Sequence, residues 1–235
     1  MTGENPIREV IYSNPPPNKS LGYSKSKWVA EAICLKAAKF SWMAGRIKVL
    51  RIGQLTGDTK NGVWNRSEAW PLMLSTTKQL GCLPMLDEKL SWLPVDVAAR
   101  AVIEISLLSQ RTGTSSPCTV YHLVSNNQDT SWMDLLGWIN EDSREEILLV
   151  EPNKWLEKLE RMDHHPAQSL LGLWKNGFGK VGEDAATGEN KGLITFDTGN
   201  ASSSSQAMRS VGPIDEVVVR KMWQWLNEAE DGSLT

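Results

Sequence analysis

Cysteine is scarce: Cys34, Cys82 and Cys118 are an odd number without metal-ligand spacing. That excludes a disulfide framework and fits a reducing compartment. Excess positive charge is lacking too, since 25 Lys and Arg against 28 Asp and Glu leave a formal charge of -3. With no basic stripe there is no electrostatic footprint for nucleic acid, so small molecules and proteins are the expected partners. No stretch approaches the ~18 apolar residues of a membrane span, and the polar opening MTGENPIREV has no apolar signal-peptide core. The chain is therefore read as soluble and cytoplasmic, without membrane attachment. No Gly-x-x-Gly-x-x-Gly follows a strand. The glycines of GFGKVGEDAATG, from 177, lie in a polar tract and are read as loop.

The 235 residues, 40% of them hydrophobic, suffice for one or two domains with a real core. SNPPPNKS (13–20) cannot be helical, because consecutive prolines remove donors and enforce extended geometry. A helix follows it to about Phe40, with apolar residues on several sides. The β-branched run Ile47–Ile52 reads as a strand ending in the loop GQLTG. A helix is expected from near Ser67 to Gly81, then a connecting loop, LPMLDEKLSWLP. PVDVAARAVIEISLLSQ is a helix with Val95, Ala98, Val102 and Ile105 at helical spacing and Asp96 in its electropositive first turn. CTVYHLVS is a strand, and Ser131 caps a helix burying Trp132, Leu135, Leu136 and Ile139. EILLV is a short strand, NKWLEKLERM and AQSLLGLW are helices, 176–212 is a flexible loop, and IDEVVVRKMWQWLNEAE closes the chain as a helix. Alternating strands and helices indicate an α/β sheet. The expected organisation is a Rossmann-like part over 1–125 and a mostly helical substrate subdomain over 126–235.

LGYSKSKWVAE (21–31) sets Tyr23 and Lys27 one turn apart on a single helix face. Free tyrosine, with a pKa of about 10, is a poor acid near neutrality, but a fixed ammonium nearby favours phenolate. A charge pair at ~4 Å is worth roughly 4 kcal/mol at an effective dielectric of ~20, an upper guide. Such a tyrosine can give its proton to a carbonyl oxygen as hydride reaches the carbon. Alone, the spacing leaves open a surface tyrosine beside a solvated lysine. MDHHP (162–166) lacks the third ligand of a zinc site, Cys34 and Cys82 read as small buried residues, and Arg51 is open between a cofactor contact and a structural ion pair.

GYSKSKWVAE, followed by VLRIGQLTGD, SWLPVDVAARAVIEI and YHLVSN, resembles the carboxy-terminal part of the thioester reductase domains that end fungal synthetases of the non-ribosomal-peptide type and carboxylic acid reductases. These are extended short-chain dehydrogenases/reductases; the resemblance covers residues 20–125 strongly and the rest loosely. It implies a partial Rossmann-like sheet with a helical substrate subdomain. It also implies NADPH-dependent release of a carrier-bound acyl thioester as an aldehyde or alcohol. Tyr23 would protonate the oxyanion, while Lys27 would bind the nicotinamide ribose and acidify the tyrosine. Gly53, Gln54 and Leu55 would line the cofactor beyond the strand end, and Trp64, Trp70 and Trp92 fall in the acyl-binding region. A doubly wound domain needs further βαβ units before that tyrosine, and 22 residues precede Tyr23. The expectation is therefore an amino-terminally truncated sheet, without the glycine-rich motif or the family's Ser/Thr, exposing apolar surface to a carrier protein or a complementing nucleotide-binding half. Two alternatives stay open: a non-catalytic docking module, and cyclising release without redox.

Overall fold

The structure, a computed structural model, describes residues 5–17, 21–107, 118–143, 145–184 and 194–228. In chain order its elements are α1 (Gly22–Ala37), β1 (Ile47–Ile52), β2 (Leu55–Thr56), α2 (Ala69–Ser75), α3 (Thr77–Leu80), β3 (Cys82–Pro84), β4 (Leu93–Pro94) and α4 (Val95–Leu107). Next come β5 (Cys118–Leu123), α5 (Trp132–Asp142), β6 (Leu148–Val150), α6 (Pro152–Glu160), a 3-10 turn (Pro166–Leu170), α7 (Leu171–Asp184), α8 (Gly199–Ser204), α9 (Gln206–Arg209) and α10 (Glu216–Glu228). They form two units that interleave along the chain. One draws on Met1–Leu55, Val95–Asn126 and Leu193–Gly212, the other on Thr56–Pro94, Asn127–Gly192 and Pro213–Thr235. A single boundary at 125/126 does not describe this division. The segment 56–94 packs with the chain beyond residue 126, because β3 pairs in parallel with β6, Leu83 opposite Leu149.

In the first unit β1 and β5 pair in parallel, from Ile47 opposite Cys118 to Ile52 opposite Leu123. Parallel neighbours require a crossover, and α4 packs back against β1. The buried stripe of α4 is Ala98, Ala101 and Ile105, while Val95 and Val102 stay outside the core, so the helix is rotated from its expected face. The outer edge of β5 is closed by side chains: Glu9 accepts the His122 N–H at 2.7 Å, and Asn200 donates to the Val120 carbonyl at 3.0 Å. Among the described residues no strand pairs with the other edge of β1. No residue of α1 is buried.

Helix also replaces the loop expected over 176–212. Residues up to Asp184 extend α7, α8 and α9 occupy 199–209, and 185–193 lie outside the described residues. The serines of ASSSSQ are weak helix formers, and tertiary bonds decide the matter. Glu104 accepts from the Ser205 hydroxyl at 2.6 Å and from the Ala207 N–H at 3.1 Å, while Glu9 takes the N–H groups of Asn200 and Ala201.

The second unit holds a core of Trp64, Met73, Leu83, Trp92, Trp132, Leu135, Trp155, Leu159, Trp223 and their neighbours. The helix expected from Ser67 to Gly81 is two short ones. Ser75, Thr76 and Thr77 each bond the carbonyl three residues back, and side-chain bonds of this kind compete with the helix ladder. Gly81 ends the second at φ +61°, as a left-handed cap. The stretch expected as a connecting loop begins and ends in strand, β3 and β4. Ser131 caps α5 in a reciprocal box with Asp134, and Trp132, Leu135, Leu136 and Ile139 are buried as expected.

Candidate active site

Tyr23 and Lys27 lie on the first two turns of α1, whose N-cap is Leu21. They share one face, with Lys27 Nζ over the Tyr23 ring at 5.1 Å from its centroid, so the ammonium meets the aromatic face. Tyr23 is 71% exposed, and its carbonyl accepts from the Ser26 hydroxyl at 2.8 Å. Beside this face opens a cleft of about 660 Å³, lined by Tyr12, the prolines 15–17, Lys27, Trp28 and Arg51, among others. The Trp28 indole N–H donates to the Tyr12 carbonyl at 3.0 Å and so ties the proline-rich segment to the helix.

Arg51, open between two readings in the sequence, is an ion pair. Its Nε and one terminal nitrogen hold both Glu31 oxygens at 2.7 Å each, and that nitrogen also donates to the Val10 carbonyl at 2.9 Å. Its other terminal nitrogen meets His122 Nε2 at 3.0 Å. Glu31 stands one turn beyond Lys27, on the stripe that Tyr23 begins.

The residues expected around a nicotinamide cofactor are divided between the cleft and the end of the sheet. Lys27 lines the cleft, and its ammonium lies over the Tyr23 ring. At Gly53 a Cβ would lie 3.0 Å from Val124 Cγ1, so the missing side chain serves the packing of the sheet end, where the Gly53 N–H also donates to the Leu123 carbonyl at 3.0 Å. Gln54 is exposed and its amide donates to the Leu55 carbonyl; Leu55 is half-buried. No glycine-rich turn follows a strand among the described residues, and the first part of GFGKVGEDAATG lies in α7.

The tryptophans expected to contact an acyl group are packed on one another. Trp64 and Trp92 are each 3% exposed, with ring centroids 5.5 Å apart, and Trp70 lies 5.0 Å from Trp92 and 5.1 Å from Trp132. For Trp64 and Trp92 the acyl-contact expectation gives way to core packing, since neither offers surface. Trp70 alone of the three is only half-buried. Of the cysteines, Cys82 and Cys118 are buried and Cys34 half-buried. Burial, with Cys34 and Glu31 nearby, pushes the Cys118 thiol up to about 11, leaving it unreactive. His165 accepts the Ala167 N–H and caps the 3-10 turn.

Glu9 and His122 were not singled out from the sequence. Glu9 is a buried carboxylate that takes the N–H groups of His122, Asn200 and Ala201; burial raises its pKa although those bonds oppose the rise. One polar residue in the apolar strand YHLV, and one acid in a polar opening, are the only traces they leave in the sequence.

Residues 8–102 match the family described as Male sterility protein, an NAD-binding family. The chain is 30% identical to the adenylate-forming reductase stbB of Stachybotrys bisbyi over 97% of its own length and 20% of that protein's. It also superposes on the terminal R domain of the myxalamid PKS-NRPS pathway, with a TM-score of 0.72 and 23% identity over 98% of this chain and 55% of that one. A thiolation-reductase di-domain of an archaeal non-ribosomal peptide synthetase is similar too, with a TM-score of 0.66 and 19% identity over 98% and 45%. The chain thus spans a fifth of the curated relative and about half of the solved chains. The fold is partial Rossmann-like, similar to that of these reductase domains, as the sequence resemblance implied. Among the described residues no helix is long and apolar enough to cross a membrane.

Proposed function

With the chain a relative of the thioester reductase domains in sequence and in fold, we propose that it serves NADPH-dependent release of a carrier-bound acyl thioester as an aldehyde or, after a second reduction, an alcohol. The observation that carries this reading is the Tyr23–Lys27 stripe, with ammonium over ring beside the cleft. NADPH, when bound, supplies hydride to the thioester carbonyl carbon. Tyr23 gives its phenolic proton to the carbonyl oxygen; the C–S bond then breaks and the carrier's thiol leaves with a proton. Lys27 holds the ribose hydroxyls and stabilises the phenolate that remains on Tyr23. Nothing at Gly53 or Gln54 supplies a phosphate cradle, so the reading includes a nucleotide-binding α/β half that completes the sheet beside β1. The asymmetry of the sheet supports this: side chains close the outer edge of β5, while β1 has no strand on its other edge among the described residues.

The test mixes the purified chain with NADPH and an acyl thioester, alone and with such a half supplied in trans, and follows cofactor absorbance. Tyr23-dependent oxidation supports the reading; none in either mixture removes the enzymatic claim. A second reading, a docking module for a carrier protein, is favoured by the exposed Val29, Ile33, Phe40 and Trp42. Calorimetry with acyl-carrier domains decides it, and heat of binding without turnover would leave this reading alone.

A further inference from the structure

The stripe bearing Tyr23 and Lys27 is anchored through Glu31 and Arg51 to His122, and the partners of that histidine fix its protonation. A guanidinium only donates, so His122 Nε2, 3.0 Å from Arg51, is an acceptor and carries no proton. A carbonyl only accepts, so Nδ1, 2.7 Å from the Asp197 carbonyl, carries one. The ring is fully buried and stands edge-on to Phe196 with centroids 5.4 Å apart. It is therefore held as the neutral Nδ1–H tautomer. Burial depresses its pKa below the ordinary histidine value; the Asp197 carbonyl opposes this and the Arg51 charge adds to it. The charged groups acting on the ring are Arg51 from β1, Asp197 from the segment before α8 and Glu31 from α1, while Glu9 from the amino-terminal segment holds the His122 backbone N–H. Arg51 and His122 are direct partners in the parallel register, so their side chains leave the same face of the sheet.

We propose that the Glu31–Arg51–His122 chain is a positioning device for the α1 face that bears Tyr23 and Lys27, closed while His122 Nε2 is unprotonated. A second proton on His122 turns Nε2 from acceptor to donor. The bond to Arg51 is then lost and a second cation faces the guanidinium. The Glu31 fork must shift to relieve the repulsion, and α1 loosens with it. The consequence for catalysis rests on the reductase reading, whereas the device itself is a property of the fold. Arg51 and His122 are positioning residues, acting on the reaction only through the helix.

The chain has three histidines, so imidazole-nitrogen NMR identifies His122 by the signal lost in His122→Gln. The expected result is the Nδ1–H tautomer at neutral pH. Amide-exchange protection of α1, corrected for intrinsic rates, should fall at least tenfold as pH is lowered through the titration of that ring, while protection of α10 in the second unit holds. Glutamine offers Arg51 an oxygen acceptor that does not titrate, so His122→Gln should keep α1 protection at both pH values. Arg51→Lys keeps the charge but cannot form the fork, and should lower α1 protection at every pH. An Nε2–H tautomer overturns the proposal. So does α1 protection indifferent to pH and to Arg51→Lys, or equal loss in α1 and α10. None of these readouts uses cofactor or thioester, so a failed reductase assay leaves them intact, and their failure leaves the reductase reading intact.

Discussion

In the second unit tryptophans build the core: Trp132 and Trp155 are fully buried and nine of the eleven tryptophans lie there, while Leu148, Leu173 and Val217 stay exposed. In the first unit Leu21, Val29, Ile33, Phe40, Trp42 and Leu107 are each at least 48% exposed, and half of the buried apolar set is alanine or cysteine: Ala38, Ala98, Ala101, Cys118, Ala201 and Ala207. Hydrophobic burial is the dominant favourable term in folding, so the second unit can supply most of its own stability. The first holds its parts together with charge and hydrogen bonds, through Glu9, Glu104, Arg51 and His122. The candidate chemistry sits on the unit with the thinner core. A helix with no buried residue stays in place there because specific polar contacts fix it.

The sharpest test of this contrast is a pair of truncations. Trp155→Ala removes a fully buried ring that meets Trp174 at 5.1 Å and donates to the Thr76 hydroxyl, and should cost about 3–5 kcal/mol by denaturant unfolding. Ile33→Ala, on the exposed face of α1, should stay within about 0.5 kcal/mol. Equal costs would break the comparison. Next in size is Tyr23→Phe. On the reductase reading its turnover should drop about 10²–10⁴-fold, while the melting temperature, for a residue this exposed, stays unchanged. Gly53→Ala is smaller: its Cβ meets Val124 Cγ1 at 3.0 Å, and about 1–3 kcal/mol of overpacking is expected, recovered in part by Val124→Ala. No cost would return Gly53 to a cofactor role.

The smallest effect is a slope. The pKa of His122 is lowered in the folded state, so the unfolded chain binds more protons between the two values and stability rises with pH there. The contribution is complete above the ordinary histidine value of about 6.5 and is lost as pH falls toward the folded value. Unfolding of His122→Gln across this window should lack that slope, and a slope unchanged by the substitution assigns it to another group.

Much of this was legible in the residues. The run Ile47–Ile52, the Ser131 cap with its buried α5 face, and the proline-rich break before α1 each come from local chemistry, and each stands where the sequence puts it. The Tyr23–Lys27 face was legible for the same reason, since four residues make about one turn of any helix. The segment 56–94 was not: whether Trp64 and Trp92 meet a ligand or each other depends on partners far along the chain.

What the sequence by itself determined is periodic or local: where strands and helices begin, which side chains share a helix face, and the resemblance carried by ordered motifs. What only the tertiary structure decided is pairing at a distance. Examples are β3 with β6, Glu9 with His122 and α8, and Arg51 with Glu31. A buried polar group is stable only with a partner, and nothing in the linear order says which of the distant donors and acceptors the fold will bring to it.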